Sequence, residues 1–159
     1  MEFDELGYLF PYKIIEIDLH TFEKQFVSNF EKSETRQKLF QNYISYITSF
    51  KNHIGENFYQ WIDGSFVTTK LNPNDIDIVT FINDKDYENN QSKLIDFQGI
   101  KLKNEQKLDC YFVKNYPIEH KNHEIITHYD SVEWFHLFSK TRVQRNGKRY
   151  SKGIIQINF

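Results

Sequence analysis

Two short apolar runs that bracket a polar turn constrain the fold of this chain more than any other feature. The first run, residues 58–62, leads into a glycine and a serine, and the second, residues 75–82, alternates isoleucine with acidic and polar residues. Because successive side chains of a strand point to opposite faces, both runs are predicted to be strands. In the second strand, Asp75 and Asp77 then share one face of the sheet, opposite the isoleucines.

The rest of the chain alternates helical and strand-like patterns. Three prolines and six glycines are spread thinly over 159 residues, so no linker divides the chain and one domain over residues 1–159 is predicted. The pattern predicts the α+β class, with a small mixed β-sheet backed by helices. The other predicted elements are an edge strand at 12–18, helices at 21–30, 33–55 and around 86–97, a strand at 107–113, a mostly helical stretch at 119–140 broken near Tyr129, and two strand-like runs around Asn146-Gly147.

Composition excludes several classes of protein. A hydrophobic fraction of 39% and a charged fraction of 26% exclude a disordered chain, a collagen-like repeat and a coiled coil. A net charge of -2 argues against wholesale electrostatic capture of nucleic acid. The single cysteine, Cys110, excludes an intramolecular disulfide. With no secretory signal and no apolar run near the ~20 residues of a membrane span, we expect a cytoplasmic protein without a membrane partner.

Three aspartates form the candidate catalytic and metal-binding group. Asp75 and Asp77 lie two residues apart on one strand face, where two carboxylates repel each other unless a cation lies between them. A pair of Mg²⁺ (or Mn²⁺) ions suits them, because hard cations take carboxylate oxygens and keep positions open for phosphates. Asp109 lies in an otherwise apolar strand, where an unpaired charge is costly, and is the candidate third carboxylate.

Gly64 and Ser65 form the candidate phosphate-binding turn. A glycine after a strand lets the backbone approach a phosphate closely, and exposed N–H groups and the serine hydroxyl can hold its oxygens. Together with the aspartates, this turn predicts metal-assisted attack on the α-phosphate of a nucleotide.

The combined pattern resembles a known superfamily. Gly64-Ser65, nine further residues, Asp-Ile-Asp-Ile and a later strand aspartate resemble the nucleotidyltransferases typified by DNA polymerase beta. The segment G-S-F-V-T-T-K-L-N-P-N-D-I-D-I is most similar to small bacterial nucleotidyltransferase-like domain proteins, and more distantly to minimal nucleotidyltransferases that are antitoxins to HEPN-domain toxins. With the preceding helix, Asp109 and Lys152-Gly153-Ile154, the resemblance spans most of the chain.

The resemblance implies a polymerase beta-like fold and a role for each motif residue. Gly64 and Ser65 hold the triphosphate, Asp75 and Asp77 bind both metal ions, and Asp109 completes the metal site and helps to activate the incoming hydroxyl. Lys70 supplies a positive charge in the stretch where the antitoxin-like members usually carry an arginine and a glycine.

The implied reaction transfers a nucleoside monophosphate from an NTP, with ATP favoured, to a hydroxyl of a protein or RNA, releasing pyrophosphate. By resemblance alone, the setting is toxin–antitoxin or phage defence, with a cognate toxin as a partner. The alternatives are a non-catalytic, antitoxin-like partner-binding module and a nucleotide sensor on the same fold.

A basic segment lies near the end of the chain. Six cations and no acid fall within residues 140–152. They predict either contact with nucleotide or RNA phosphates, or a solvated hairpin. Lys152 precedes an apolar run and is the one we assign to nucleotide binding. The four histidines between residues 120 and 136 are spaced poorly for zinc, and we expect them at the surface.

Overall fold

A mixed five-stranded β-sheet forms the centre of the computed structural model, which describes residues 1–159. The strands are β1 (Glu2–Phe3), β2 (Leu9–Phe10), β3 (Ile14–Glu16), β4 (Phe58–Asp63), β5 (Ile76–Asn83), β6 (Leu108–Asn115) and β7 (Ile154–Asn158). The order across the sheet is β3–β7–β4–β5–β6, while β1 and β2 pair separately. Strand β4 is antiparallel to β5 and β7, whereas β5 is parallel to β6 and β3 is parallel to β7.

Helices cover both faces of this sheet. The α-helices are α1 (Leu19–Phe26), α2 (Arg36–His53), α3 (Asp84–Asn89), α4 (Gln91–Leu94), α5 (Ile100–Gln106) and α6 (Tyr129–Phe138). Short 3-10 helices lie at Ser28–Phe30, Ser65–Val67 and Ile95–Phe97, and a π-helix at His123–His128 leads into α6. None of the helices is long and apolar enough to cross a membrane.

The larger core lies between α2 and the isoleucine face of the sheet. Apolar residues recur along α2 at the spacing of one buried helical face, and the Ser33 hydroxyl accepts the Arg36 N–H at 3.1 Å at its start. The buried Gln60 amide on β4 donates to the Thr80 hydroxyl at 2.9 Å and accepts from Tyr43 at 2.7 Å. Its hydrogen bonds join helix and sheet without leaving a buried amide unpaired.

The smaller core lies on the opposite face, beneath α6. It contains Trp61, Val79, Phe81 and Val113 from three strands, with Phe138 from α6 packed on them. Because side chains alternate along β5, this is also the face that carries Asp77. The candidate acidic residues therefore lie on the same face as α6, at the end of the sheet where β5 and β6 begin.

The predicted α+β class is confirmed, and most elements lie where the sequence placed them. The 119–140 stretch changes from π-helix to α-helix at Tyr129, near the predicted break. Two expectations were wrong. Residues 100–106 form α5, although the predicted helix in that polar region ended at Phe97. Of the two strand-like runs on either side of Asn146-Gly147, only the second contains a regular strand, β7, while Lys140 and Ser151 form an isolated bridge.

Candidate functional site

Three aspartates from neighbouring strands lie side by side. Asp63, at the end of β4, is the register partner of Asp77 on β5, and Asp77 is the register partner of Asp109 on β6. Register partners on adjacent strands point to the same face, with Cβ atoms about 5 Å apart. We call these three residues the acidic row. Asp75 lies just before β5 rather than within it.

Asp77, in the middle of the row, is a carboxylate without a partner. Its pKa is raised, first by burial and then by the negative charges of Asp75 and Asp109, while Lys152 and Arg142 act in the opposite direction. No hydrogen bond or ion pair reaches the side chain of Asp77 or Asp75. The centre of the row therefore holds repelling negative charge, which an added cation would relieve.

Each end of the row is paired with a lysine. The Lys152 ammonium donates to Oδ2 of Asp63, and both side chains are buried. Burial nevertheless raises the pKa of Asp63 to about 6, against the opposing effect of Lys152. At the other end, the Lys103 ammonium donates to Oδ2 of Asp109, and this hydrogen bond raises the pKa of Lys103.

Gly64 sits directly against the carboxylate of Asp77. Its φ is +80°, and a Cβ added to it would lie 1.8 Å from Oδ2 of Asp77. No other residue fits this position, because a side chain would both strain the backbone and displace the carboxylate. The Asp77 carboxylate therefore requires a glycine at position 64, and the phosphate-binding role that the sequence predicts for Gly64 stays a prediction.

The turn that carries Gly64 and Ser65 continues into loop 65–70, which is held by one arginine. Arg36, fully buried on α2, donates to the carbonyls of Phe26 and Phe66 at 2.7 and 2.6 Å. It also donates to the carbonyls of Thr68 and Lys70 at 2.8 and 2.6 Å. Burial lowers the pKa of Arg36 to about 10. The Arg36 guanidinium has no carboxylate partner, and its hydrogen bonds to backbone carbonyls hold the loop in place.

The structure brings most of the predicted site residues together, but not all of them. Asp77 and Asp109 stand in the acidic row, and Asp75 is close enough to raise the Asp77 pKa. Lys152 joins the site through Asp63. Ser65 begins the 3-10 helix beside the row, and its hydroxyl makes no hydrogen bond.

Lys70 is the predicted site residue that the structure does not join to the row. Its side chain is exposed and makes no ion pair, and its backbone carbonyl accepts from Arg36. Of the basic segment, Arg142 is close enough to influence the charge of Asp77, while its neighbours 145, 148 and 149 are exposed.

Sequence reasoning missed three residues of this region. Asp63 was visible as the acid that precedes Gly64, and its place at the end of a predicted strand was the available signal. Lys103 was hidden because α5 was not predicted. Arg36 gave no signal, since an arginine in an amphipathic helix is ordinarily solvated.

The carboxylates at this site are the type of ligand that a hard divalent cation prefers, although they do not form a preassembled metal site. No group of three or more His, Cys, Asp or Glu side chains is gathered closely enough to hold a metal ion. Mg²⁺ commonly binds through one or two protein carboxylates and completes its shell with water and substrate phosphates. The unpaired carboxylates of Asp75 and Asp77 match that requirement.

The fold and site together define an α+β protein whose sheet carries aspartates in register beside a glycine-serine turn. The chain belongs to a family of unknown function (DUF6932), whose model matches residues 1–158. No curated protein and no solved structure shows a significant match to it.

Proposed function

We propose that this protein transfers a nucleoside monophosphate from a metal-bound NTP to a hydroxyl group. The observation that carries the proposal is the unpaired Asp75 and Asp77 beside the Gly64-Ser65 turn. Carboxylates that repel each other are retained at a cost in stability, and a divalent cation with its phosphates is the ligand that removes this cost.

The chain's own residues divide the chemistry between them. Asp75, Asp77 and Asp109 would hold Mg²⁺ or Mn²⁺, which would supply charge neutralisation at the phosphates. The N–H groups and hydroxyl of Gly64-Ser65 orient the triphosphate. The acceptor oxygen bonds to the α-phosphorus, the bond between that phosphorus and the bridging oxygen breaks, and pyrophosphate leaves. Asp109 accepts the proton of the attacking hydroxyl.

Positioning carries this reaction, because phosphoryl-type transfer needs little covalent help from protein. The Arg36 clamp on loop 65–70 and the rigid register of β4, β5 and β6 supply that positioning. Lys152, fixed on Asp63, keeps a positive charge next to the row, where it lowers the pKa of Asp77.

The experiment is transfer of α-labelled nucleotide. The protein is incubated with each of the four α-³²P-labelled NTPs, Mg²⁺ or Mn²⁺ and a bacterial extract, and labelled macromolecules are resolved on gels. Asp77→Asn should abolish labelling, and the control Asp96→Asn, an exposed acid outside the row, should not. Absence of any labelled product, together with nucleotide binding unchanged by Asp77→Asn, would contradict the proposal.

The same gel separates the two acceptor classes. Label that protease removes lies on a protein, and label that ribonuclease removes lies on RNA. A cognate toxin encoded beside this gene is the first purified protein to test. Nucleotide binding that depends on Asp77 without any turnover would instead indicate a sensor.

A second candidate function, partner binding without transfer, is favoured by the surface around α6. Large apolar side chains there are exposed rather than packed. They are Ile118, Ile125, Tyr129, Val132 and Leu137. Exposed apolar side chains are typical of protein interfaces where they lie close together. Co-purification of a partner that survives Asp77→Asn and is lost in a Val132→Glu variant would support this function.

A further inference from the structure

The charges around the acidic row do not balance. The row and Asp75 together carry four carboxylates, and two lysines are paired with them. Lys152 and Lys103 occupy the two ends, so the uncompensated charge is concentrated at Asp75 and Asp77. A divalent cation at this position would neutralise part of this negative charge.

A second observation, independent of the acid count, also indicates a missing ligand. Oδ1 of Asp63 is buried and has no hydrogen-bond partner, in a residue that is only 4% exposed. A buried carboxylate oxygen without a donor costs about 1–3 kcal/mol. Such an oxygen at the end of the row is accounted for if the row is completed by a bound group.

The two lysines hold their aspartates very differently. The side chain of Lys152 is 9% exposed, and its backbone N–H is bonded to the Ser139 carbonyl at 2.9 Å. The side chain of Lys103 is 41% exposed, on the seven-residue helix α5 beside the edge strand β6. Because Asp109 itself is only 14% exposed, the Lys103 pair is partly buried, yet it is closer to solvent than the Lys152 pair and therefore less costly to separate. Lys152 is therefore a permanent member of the site and Lys103 a removable one.

We propose that Lys103 is an internal competitor of the divalent cation: it holds Asp109 in the free protein and is displaced from it when the cation binds. This inference rests on the proposed function for the presence of a cation at the row. Once the Lys103 ammonium has left, it no longer blocks Asp109 from accepting the proton that the transfer reaction assigns to this residue.

The test measures Mn²⁺ binding to the full chain without nucleotide, from the electron paramagnetic resonance signal of the free ion. Lys103→Met should bind Mn²⁺ at least about fivefold more tightly than the wild type, because the Lys103 ammonium no longer competes with the cation for Asp109. The matched control is Lys101→Met, an exposed lysine of the same helix without a carboxylate partner. Its affinity should change less than about twofold, as expected for a screened surface charge.

A double variant separates competition at Asp109 from a general charge effect. In an Asp109→Asn background, Lys103→Met should give no further gain, since the group that the lysine competes for is absent. Circular dichroism checks that each variant is folded.

The inference is overturned if Lys103→Met binds Mn²⁺ like the wild type, if Lys101→Met gains equally, or if the gain persists with Asp109→Asn. Failure of the proposed function looks different. If the wild type and Asp77→Asn bind Mn²⁺ equally, the acidic row holds no cation, and both the proposed function and the role of Lys103 are contradicted. If Mn²⁺ behaves as expected but no nucleotide is transferred, the inference survives and the transferase proposal does not.

Discussion

Arg36 offers the sharpest test of how the candidate site is held. In Arg36→Met, the buried carbonyls of Phe26 and Phe66 lose their donor, at a cost of about 1–3 kcal/mol each. The cation–π contact with Phe30, at 3.8 Å to the ring centroid, adds about 1 kcal/mol.

Removing the buried charge of Arg36 also removes its desolvation penalty, which offsets part of this loss of stability. Burial lowers the Arg36 pKa from 12.5 to about 10, which corresponds to about 3 kcal/mol. With about 4 kcal/mol for the two carbonyls, the net loss of stability is about 2 kcal/mol. That loss lowers the melting temperature by about 4–8 °C in a chain of this size.

Urea unfolding followed by tryptophan fluorescence measures this loss, with the m-value expected to stay constant. Amide exchange adds the local readout, since protection in loop 65–70 should fall more than in α2. Lys38→Met, an exposed charge on the same helix, is the control and should shift stability by less than about 0.5 kcal/mol. An Arg36→Met protein as stable as the wild type, or one with unchanged exchange in the loop, refutes the clamp.

Three further perturbations test the row itself. Gly64→Ala should lower the free energy of unfolding in urea by at least about 1 kcal/mol more than Gly147→Ala does. Both glycines have a positive φ, but only at Gly64 would an added Cβ meet the Asp77 carboxylate. Equal losses in the two variants would contradict this steric explanation. Asp77→Asn should stabilise the metal-free protein by about 1 kcal/mol at pH 7. The substitution removes a carboxylate whose pKa is raised by burial and by neighbouring negative charges. A melting temperature below that of the wild type would contradict this prediction. The pKa of Asp63 is raised from 3.8 to about 6, so the folded protein keeps a proton that the unfolded chain releases. The unfolding free energy of the wild type relative to Asp63→Asn should then fall by about 2 kcal/mol from pH 4 to pH 6, and a difference that does not change with pH contradicts this expectation.

The strands of the site could be predicted because their signals are local. The alternation around Asp77 specifies a strand with two different faces, and the apolar surroundings of Asp109 specify a neighbouring one. In the structure the two strands are neighbours, and Asp77 and Asp109 are register partners, as expected.

What sequence could not supply is the identity of long-range partners. Lys152 was assigned to nucleotide, yet its ammonium is bonded to Asp63, 89 positions earlier in the chain. Arg36 holds carbonyls that lie 10 to 34 positions away, and backbone acceptors leave no trace in side-chain patterns. Helix α5 was missed because its residues are polar and its few contacts with β6 come from tertiary packing, which overrides propensity.

The place of β7 in the sheet sets an order for biosynthesis. This strand is synthesised after the other four strands of the sheet, yet it lies between β3 and β4, and Lys152 comes just before it. A nascent chain that has not reached residue 152 has an open sheet and an Asp63 without its counter-ion. The site is therefore completed only after residue 152 has been synthesised and β7 has entered the sheet, which makes it dependent on a long-range contact that forms slowly.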